Sequence, residues 1–126
     1  MAEHVYDSSD SCTGKNVAQE PLEYSIYSLL KKYQITITTA ESATGGMIAS
    51  TLINVPGISE FFTEGYVTYS NEAKVKMIHV APETIDTYGV VSSETAADMA
   101  SSAAKKAGNT GALALAKQQD PGLPCP

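Results

Sequence analysis

The chain has 126 residues, of which 43% are apolar, enough for one domain with one hydrophobic core. Its net charge is −6 at pH 7 without a cluster of Lys and Arg, which excludes an electrostatic binder of nucleic acid or of anionic membranes. The amino terminus lacks a signal-peptide pattern and no apolar run is long enough for a membrane span, so we expect a cytoplasmic protein.

The first predicted elements are a polar head and a helix. Residues 1–20 are rich in Ser, Asp, Glu, Lys and Asn and are expected to be disordered, because they bury too little apolar surface to offset the entropy of ordering. Cys12 and Cys125 lie outside the predicted elements and are expected to be free thiols. From Pro21 apolar residues recur at helical spacing, which predicts a helix to about Tyr33.

The middle of the chain alternates between strand and helix patterns. The β-branched residues 35–39 predict a buried strand, and glycines at 45 and 46 mark the entry to a helix over residues 47–53. A turn at residues 56–57 follows. Aromatic and β-branched residues then predict a second strand over 65–69.

Helices dominate the next part of the chain. Ser70 or Asn71 suits the N-cap of a helix that ends near residue 78. Pro82 opens a shorter helical segment, and residues 88–91 are predicted to be a connector with a short extended piece.

The last predicted helix covers residues 94–107, with Ser92 or Ser93 as its cap and Gly108 at its end. Residues 112–116 predict a third strand. Alternating strands and helices indicate an α/β fold, a layered α/β/α sandwich with a largely parallel sheet.

The predicted domain covers residues 21–116 and is followed by a polar, proline-rich tail over residues 117–126, which we expect to be irregular. Three strands are few for an open sheet. We therefore expect that the carboxyl-terminal part of the domain is missing.

Residues 41–46 form a loop of small residues between the first strand and the helix that follows. Backbone N–H groups at such a helix start favour a phosphate or carboxylate, which makes Ser42, Thr44, Gly45 and Gly46 candidate binding residues. The alternative is structural: the glycines permit close packing, and Ser42 or Thr44 caps the helix.

Ser59, Tyr69 and Lys74 are candidate catalytic residues. A serine hydroxyl needs a base to remove its proton, and Lys74 is the available partner for a serine–lysine mechanism. The helix dipole and partial burial would lower the pKa of Lys74, and Tyr69 would donate to an oxyanion or relay a proton. The structural alternative is a turn serine, a core tyrosine and a solvated surface lysine.

Three segments together resemble the CinA carboxyl-terminal domain family: residues 39–46 (TAESATGG), 55–59 (VPGIS) and 65–74 (GYVTYSNEAK). The likeness continues through residues 88–92 (YGVVS) to Ala116. The resemblance implies a nicotinamide-nucleotide amidohydrolase of pyridine nucleotide salvage. Such an enzyme hydrolyses the carboxamide of nicotinamide mononucleotide (NMN) to give nicotinic acid mononucleotide and ammonia.

The resemblance also implies residue roles. Ser59 matches the nucleophile, Lys74 the base and Tyr69 the assisting hydroxyl, while the loop over residues 42–46 lines the pocket for the nucleotide. It implies neither a metal nor a cofactor, and it implies a homo-oligomer.

Two departures from the family pattern stand out. Ala43 replaces a common cysteine, a change between small residues that we expect to be tolerated. Residues 117–126 stand where the family has a glycine-rich substrate loop with a catalytic threonine. The alternative to an enzyme is therefore an inactive truncated or splice-variant form that acts at most as a binding module.

Overall fold

The structure is a computed structural model that describes residues 20–108 and the backbone of residues 113–117. Apart from Glu20 and Lys117, the predicted head and tail lie outside these residues, and so do both cysteines. None of the helices in the described part of the chain has the length and apolar character needed to cross a membrane.

Strands and helices follow one another along the described residues much as the sequence predicts. In chain order they are α1 (Leu22–Tyr33), β1 (Ile37–Glu41), α2 (Met47–Leu52), a 3-10 helix (Ile58–Glu60), β2 (Phe62–Val67), α3 (Asn71–Ile78), α4 (Pro82–Tyr88), α5 (Ser93–Ala107) and β3 (Leu113–Lys117).

The strand predicted from residue 35 begins two residues later, at Ile37. Gln34 adopts a left-handed conformation with φ 53°, and the N–H of Ile35 donates to the carbonyl of Leu30 at 3.1 Å. These residues therefore close the end of α1 before the extended backbone begins.

The second strand and the connector also differ from prediction. β2 begins at Phe62, because Phe62 already pairs with Ile37 of β1. The extended piece predicted within residues 88–91 is wrong. The hydroxyls of Ser92 and Thr95 donate to the carbonyl of Gly89 at 2.8 and 2.7 Å, which folds the connector against the start of α5.

The described strands form a parallel sheet in the order β2-β1-β3, with β1 buried along its whole length. Ile37 packs on one face with Leu30 of α1 and Leu52 of α2. Ala40, on the other face, packs with Ile78 of α3. The sheet therefore lies between two helical layers, and the predicted α/β sandwich with a parallel sheet is confirmed.

β1 and β2 approach closely at Gly65, which pairs with Thr39. A Cβ atom on Gly65 would collide with Thr39 Oγ1. Thr39 is fully buried, and its hydroxyl has no hydrogen-bond partner among the described residues. Glycine therefore avoids a collision at this close approach of the two strands.

Serines cap the helices on either side of the cleft described below. Ser70 Oγ accepts the N–H of Ala73 at 3.0 Å at the start of α3, and Ser92 Oγ accepts the N–H of Thr95 at 3.1 Å at the start of α5. The sequence left a neighbouring residue open as the cap in both cases. The structure selects the serine that precedes each helix.

Candidate active site

The carboxyl ends of β1 and β2 meet at one edge of the sheet because the two strands are parallel. Ser42 directly follows β1, and Thr68 and Tyr69 directly follow β2. α3 then brings Lys74 to the same edge. A cleft of about 200 Å³ opens here, lined by Ser42, Ala43, Tyr69, Ser70, Asn71, Lys74, Val90 and Val91.

Lys74 is buried in the wall of this cleft, with 1% of its surface exposed. Its Nζ donates hydrogen bonds to the carbonyl oxygens of Thr68 (2.9 Å) and Tyr69 (3.4 Å) and to Ser42 Oγ (3.2 Å). These acceptors are uncharged. Burial lowers the pKa of Lys74 below its ordinary value, because the charged amine loses most by leaving water. The lowered pKa makes the neutral amine, which can accept a proton, easier to reach than in an exposed lysine.

Ser59 does not reach Lys74 within the chain. It is exposed in the 3-10 helix that precedes β2, whereas Lys74 contacts the residues that follow β2. The six residues of β2 separate these positions by about 20 Å, since a strand rises ~3.3 Å per residue. The predicted pairing of Ser59 with Lys74 is thus not formed, and the serine hydroxyl in contact with Lys74 is that of Ser42.

Tyr69 lies in the lining of the cleft together with Val90 and Val91. Its side chain is 73% exposed, so it is not the core aromatic of the structural alternative. Its backbone carbonyl accepts a hydrogen bond from Lys74. Tyr69 therefore helps to hold the lysine through its backbone and keeps its ring on the solvent side.

The loop after β1 is closed by hydrogen bonds to the side chain of Glu41. The carboxylate of Glu41 accepts the N–H groups of Ile48 (2.9 Å) and Ala49 (3.0 Å) at the start of α2, and the hydroxyl of Thr44 at 2.8 Å. Gly45 and Gly46 form the turn, with φ values of 60° and 103° that favour glycine. Of the four predicted binding residues in this loop, only Ser42 lines the cleft.

A sequence profile described as the CinA C-terminal domain matches residues 19–121. The chain belongs to the CinA C-terminal domain family. A CinA-like protein of Kosmotoga olearia is 50% identical over 99 residues, which are 79% of this chain and 24% of that protein. A CinA-like protein of Chloroherpeton thalassium is 48% identical over 102 residues, 81% of this chain and 24% of that protein. The chain spans about a quarter of the length of these curated relatives.

Solved structures agree with this assignment to the CinA C-terminal domain. A competence or damage-inducible protein from Enterobacter asburiae superposes with a TM-score of 0.69 at 34% identity, covering 74% of this chain and 58% of that one. A CinA superfamily protein from Escherichia coli gives a TM-score of 0.69 at 31% identity, covering 80% of this chain and 62% of that one. The α/β fold with its parallel sheet is therefore shared with these structures.

Two contacts in this CinA C-terminal domain were not predicted from the sequence. The role of Ser42 at Lys74 was missed, because the two residues are 32 positions apart and meet only through strand pairing. The contacts of Glu41 were not predicted, because the sequence alone does not show which neighbours a carboxylate at the end of a strand accepts hydrogen bonds from. The sequence signal for these contacts was the loop of small residues and glycines directly after Glu41, because the N–H groups at the helix start that follows this loop need an acceptor. Among residues 20–108, no group of three or more His, Cys, Asp and Glu side chains could hold a metal ion.

Proposed function

We propose that this CinA C-terminal domain hydrolyses the carboxamide of NMN to nicotinic acid mononucleotide and ammonia, with Ser42 as the nucleophile and Lys74 as the general base. The observation that carries the proposal is the 3.2 Å contact between Ser42 Oγ and the amine of a buried lysine whose pKa is lowered. The substrate is taken from the resemblance to the nicotinamide-nucleotide amidohydrolases.

The reaction begins when Lys74 is neutral. Ser42 then donates its hydrogen bond to Nζ, and Lys74 takes the proton as Ser42 Oγ attacks the amide carbon. Collapse of the tetrahedral intermediate breaks the C–N bond, and Lys74 returns the proton to the departing ammonia. Water, deprotonated by Lys74, next hydrolyses the ester on Ser42 and restores the serine. The phenol of Tyr69 serves as a hydrogen-bond donor to the oxyanion.

The shape of the cleft suits the reacting end of the nucleotide. Its volume of about 200 Å³ lies below the roughly 300–1,000 Å³ of most ligand pockets, so it accommodates the pyridine carboxamide rather than a whole nucleotide. Val90 and Val91 offer an apolar wall to a flat ring, next to Tyr69. The ribose phosphate would extend towards solvent.

The test is ammonia release from NMN by the purified full chain, measured by a coupled glutamate dehydrogenase assay. We expect Ser42→Ala to abolish release and Ser59→Ala, the matched control, to leave it unchanged. The reverse result would restore Ser59 as the nucleophile. A folded wild-type chain that binds NMN and releases no ammonia would refute the hydrolase and favour a binding module.

A further inference from the structure

Glu41 is a buried carboxylate that the proposed reaction does not use. It ends β1, directly precedes Ser42, and is 0% exposed. Its backbone carbonyl accepts the N–H of Thr68 at 2.9 Å, and the carbonyl of Thr68 accepts the Nζ of Lys74 at 2.9 Å. Thr68 therefore contacts both the backbone directly before Ser42 and the amine of Lys74.

The side chain of Glu41 fixes the other end of the loop. Gly46, the N-cap of α2, has no side chain to cap that helix. Glu41 supplies the missing acceptors from β1, through its bonds to the N–H groups of Ile48 and Ala49. The loop that carries Ser42 is thereby closed between β1 and α2.

We propose that Glu41 is a positioning residue: its carboxylate holds the loop so that Ser42 Oγ stays against the Lys74 amine and water stays away from that amine. The inference rests on the proposed function for the roles of Ser42 and Lys74. If the loop loosens, Ser42 moves away and Lys74 regains solvation. Both effects weaken the pair, the first through geometry and the second by favouring the protonated amine.

Glu41→Gln tests this without changing the size of the side chain. Both carboxylate oxygens accept backbone N–H groups, so in either orientation the NH₂ of glutamine faces another donor. Thr44→Val is a milder variant that removes only the hydroxyl donated to Glu41. Asp98→Asn is the matched control, because Asp98 also accepts a backbone N–H, that of Ala81 at 3.2 Å, away from the cleft.

The measurement is the rate at which a fluorophosphonate labels Ser42 in the full chain, followed by intact mass as a function of pH, with Ser42→Ala as background. We expect Glu41→Gln to slow labelling about a hundredfold, because a small misplacement of a reacting group has that effect. The pH midpoint should also rise towards the ordinary lysine value near 10.5. Thr44→Val should shift both in the same direction by less, and Asp98→Asn should shift neither.

Each possible result either supports or overturns the proposed role of Glu41. Glu41→Gln with the wild-type rate and midpoint would overturn the proposal, as would a loss of thermal stability with no change in midpoint. If Glu41→Gln does not fold, Thr44→Val decides by the same criteria. Wild-type Ser42 that labels while NMN is not hydrolysed would refute the proposed substrate and leave the role of Glu41 standing. Absence of wild-type labelling at every pH would overturn both.

Discussion

Replacing Gly65 by alanine probes the close approach of the two strands that carry the cleft. The backbone of Gly65 is not in the left-handed region, so alanine meets no conformational penalty there. Its Cβ would instead collide with Thr39 Oγ1, a fully buried atom. Either the Thr39 side chain must rotate, or β1 and β2 must move apart a few residues before Thr68, whose carbonyl holds Lys74.

The expected change in the free energy of unfolding for Gly65→Ala follows from two opposing effects. Overpacking in a well-packed core costs about 1–3 kcal/mol. Alanine recovers about 0.5–1 kcal/mol, because glycine loses more backbone entropy on folding. We expect a net loss of roughly 1–2 kcal/mol, and each kcal/mol lowers Tm by about 4–8 °C in a domain of this size.

The assay is urea denaturation followed by circular dichroism, carried out as a double-mutant cycle. Thr39→Ala removes the atom with which the new methyl collides, so Thr39→Ala/Gly65→Ala should be about 1 kcal/mol more stable than the sum of the single changes predicts. Ammonia release should fall in Gly65→Ala and recover in part in the double variant. Additive free energies, or a Gly65→Ala variant as stable as wild type, would refute the steric reasoning.

The remaining predictions concern Lys74 and the cap of α5. Burial lowers the folded-state pKa of Lys74 below the unfolded value near 10.5, so this residue binds more protons in the unfolded chain between the two values, and its contribution to stability rises with pH there. Lys74→Met should abolish that rise, measured as the free energy of unfolding from urea titrations at several pH values. The exposed control Lys76→Met should keep it. If the free energy of unfolding changes with pH equally in the two variants, the argument is contradicted. Ser92→Ala should lower the free energy of unfolding by about 1 kcal/mol because it removes the N-cap acceptor, and Ser93→Ala should lower it by less than half as much. Equal losses from the two serine variants would count against Ser92 as the cap.

Local patterns along the chain were sufficient to predict most of the helices and strands. Apolar spacing placed α1, and the serines before α3 and α5 marked their starts, because these signals act within a few residues. Strand ends were less accurate. β1 starts where its partners pair with it, and the β-branched Ile35 is drawn into the end of α1 by a hydrogen bond to Leu30.

Predicting the candidate site requires knowing which strands lie side by side. The sequence identified Lys74 and the pKa shift expected from its burial, and the structure bears out the direction of that shift. It favoured Ser59, which is closer in sequence to Lys74 than Ser42 is. Parallel pairing instead puts residues that follow β1 next to residues that follow β2, which brings Ser42 rather than Ser59 into contact with Lys74. No local pattern contains that information.

The carboxylate of Glu41, which already occupies the start of α2, has a consequence for inhibitor chemistry. A phosphate or carboxylate group aimed at the N–H groups of Ile48 and Ala49 would have to displace the buried side chain of Glu41. A compound directed at this loop would thus compete with an acceptor that is part of the chain and always present. A neutral electrophile that enters between Tyr69 and Val91 and reacts with Ser42 meets no such competitor.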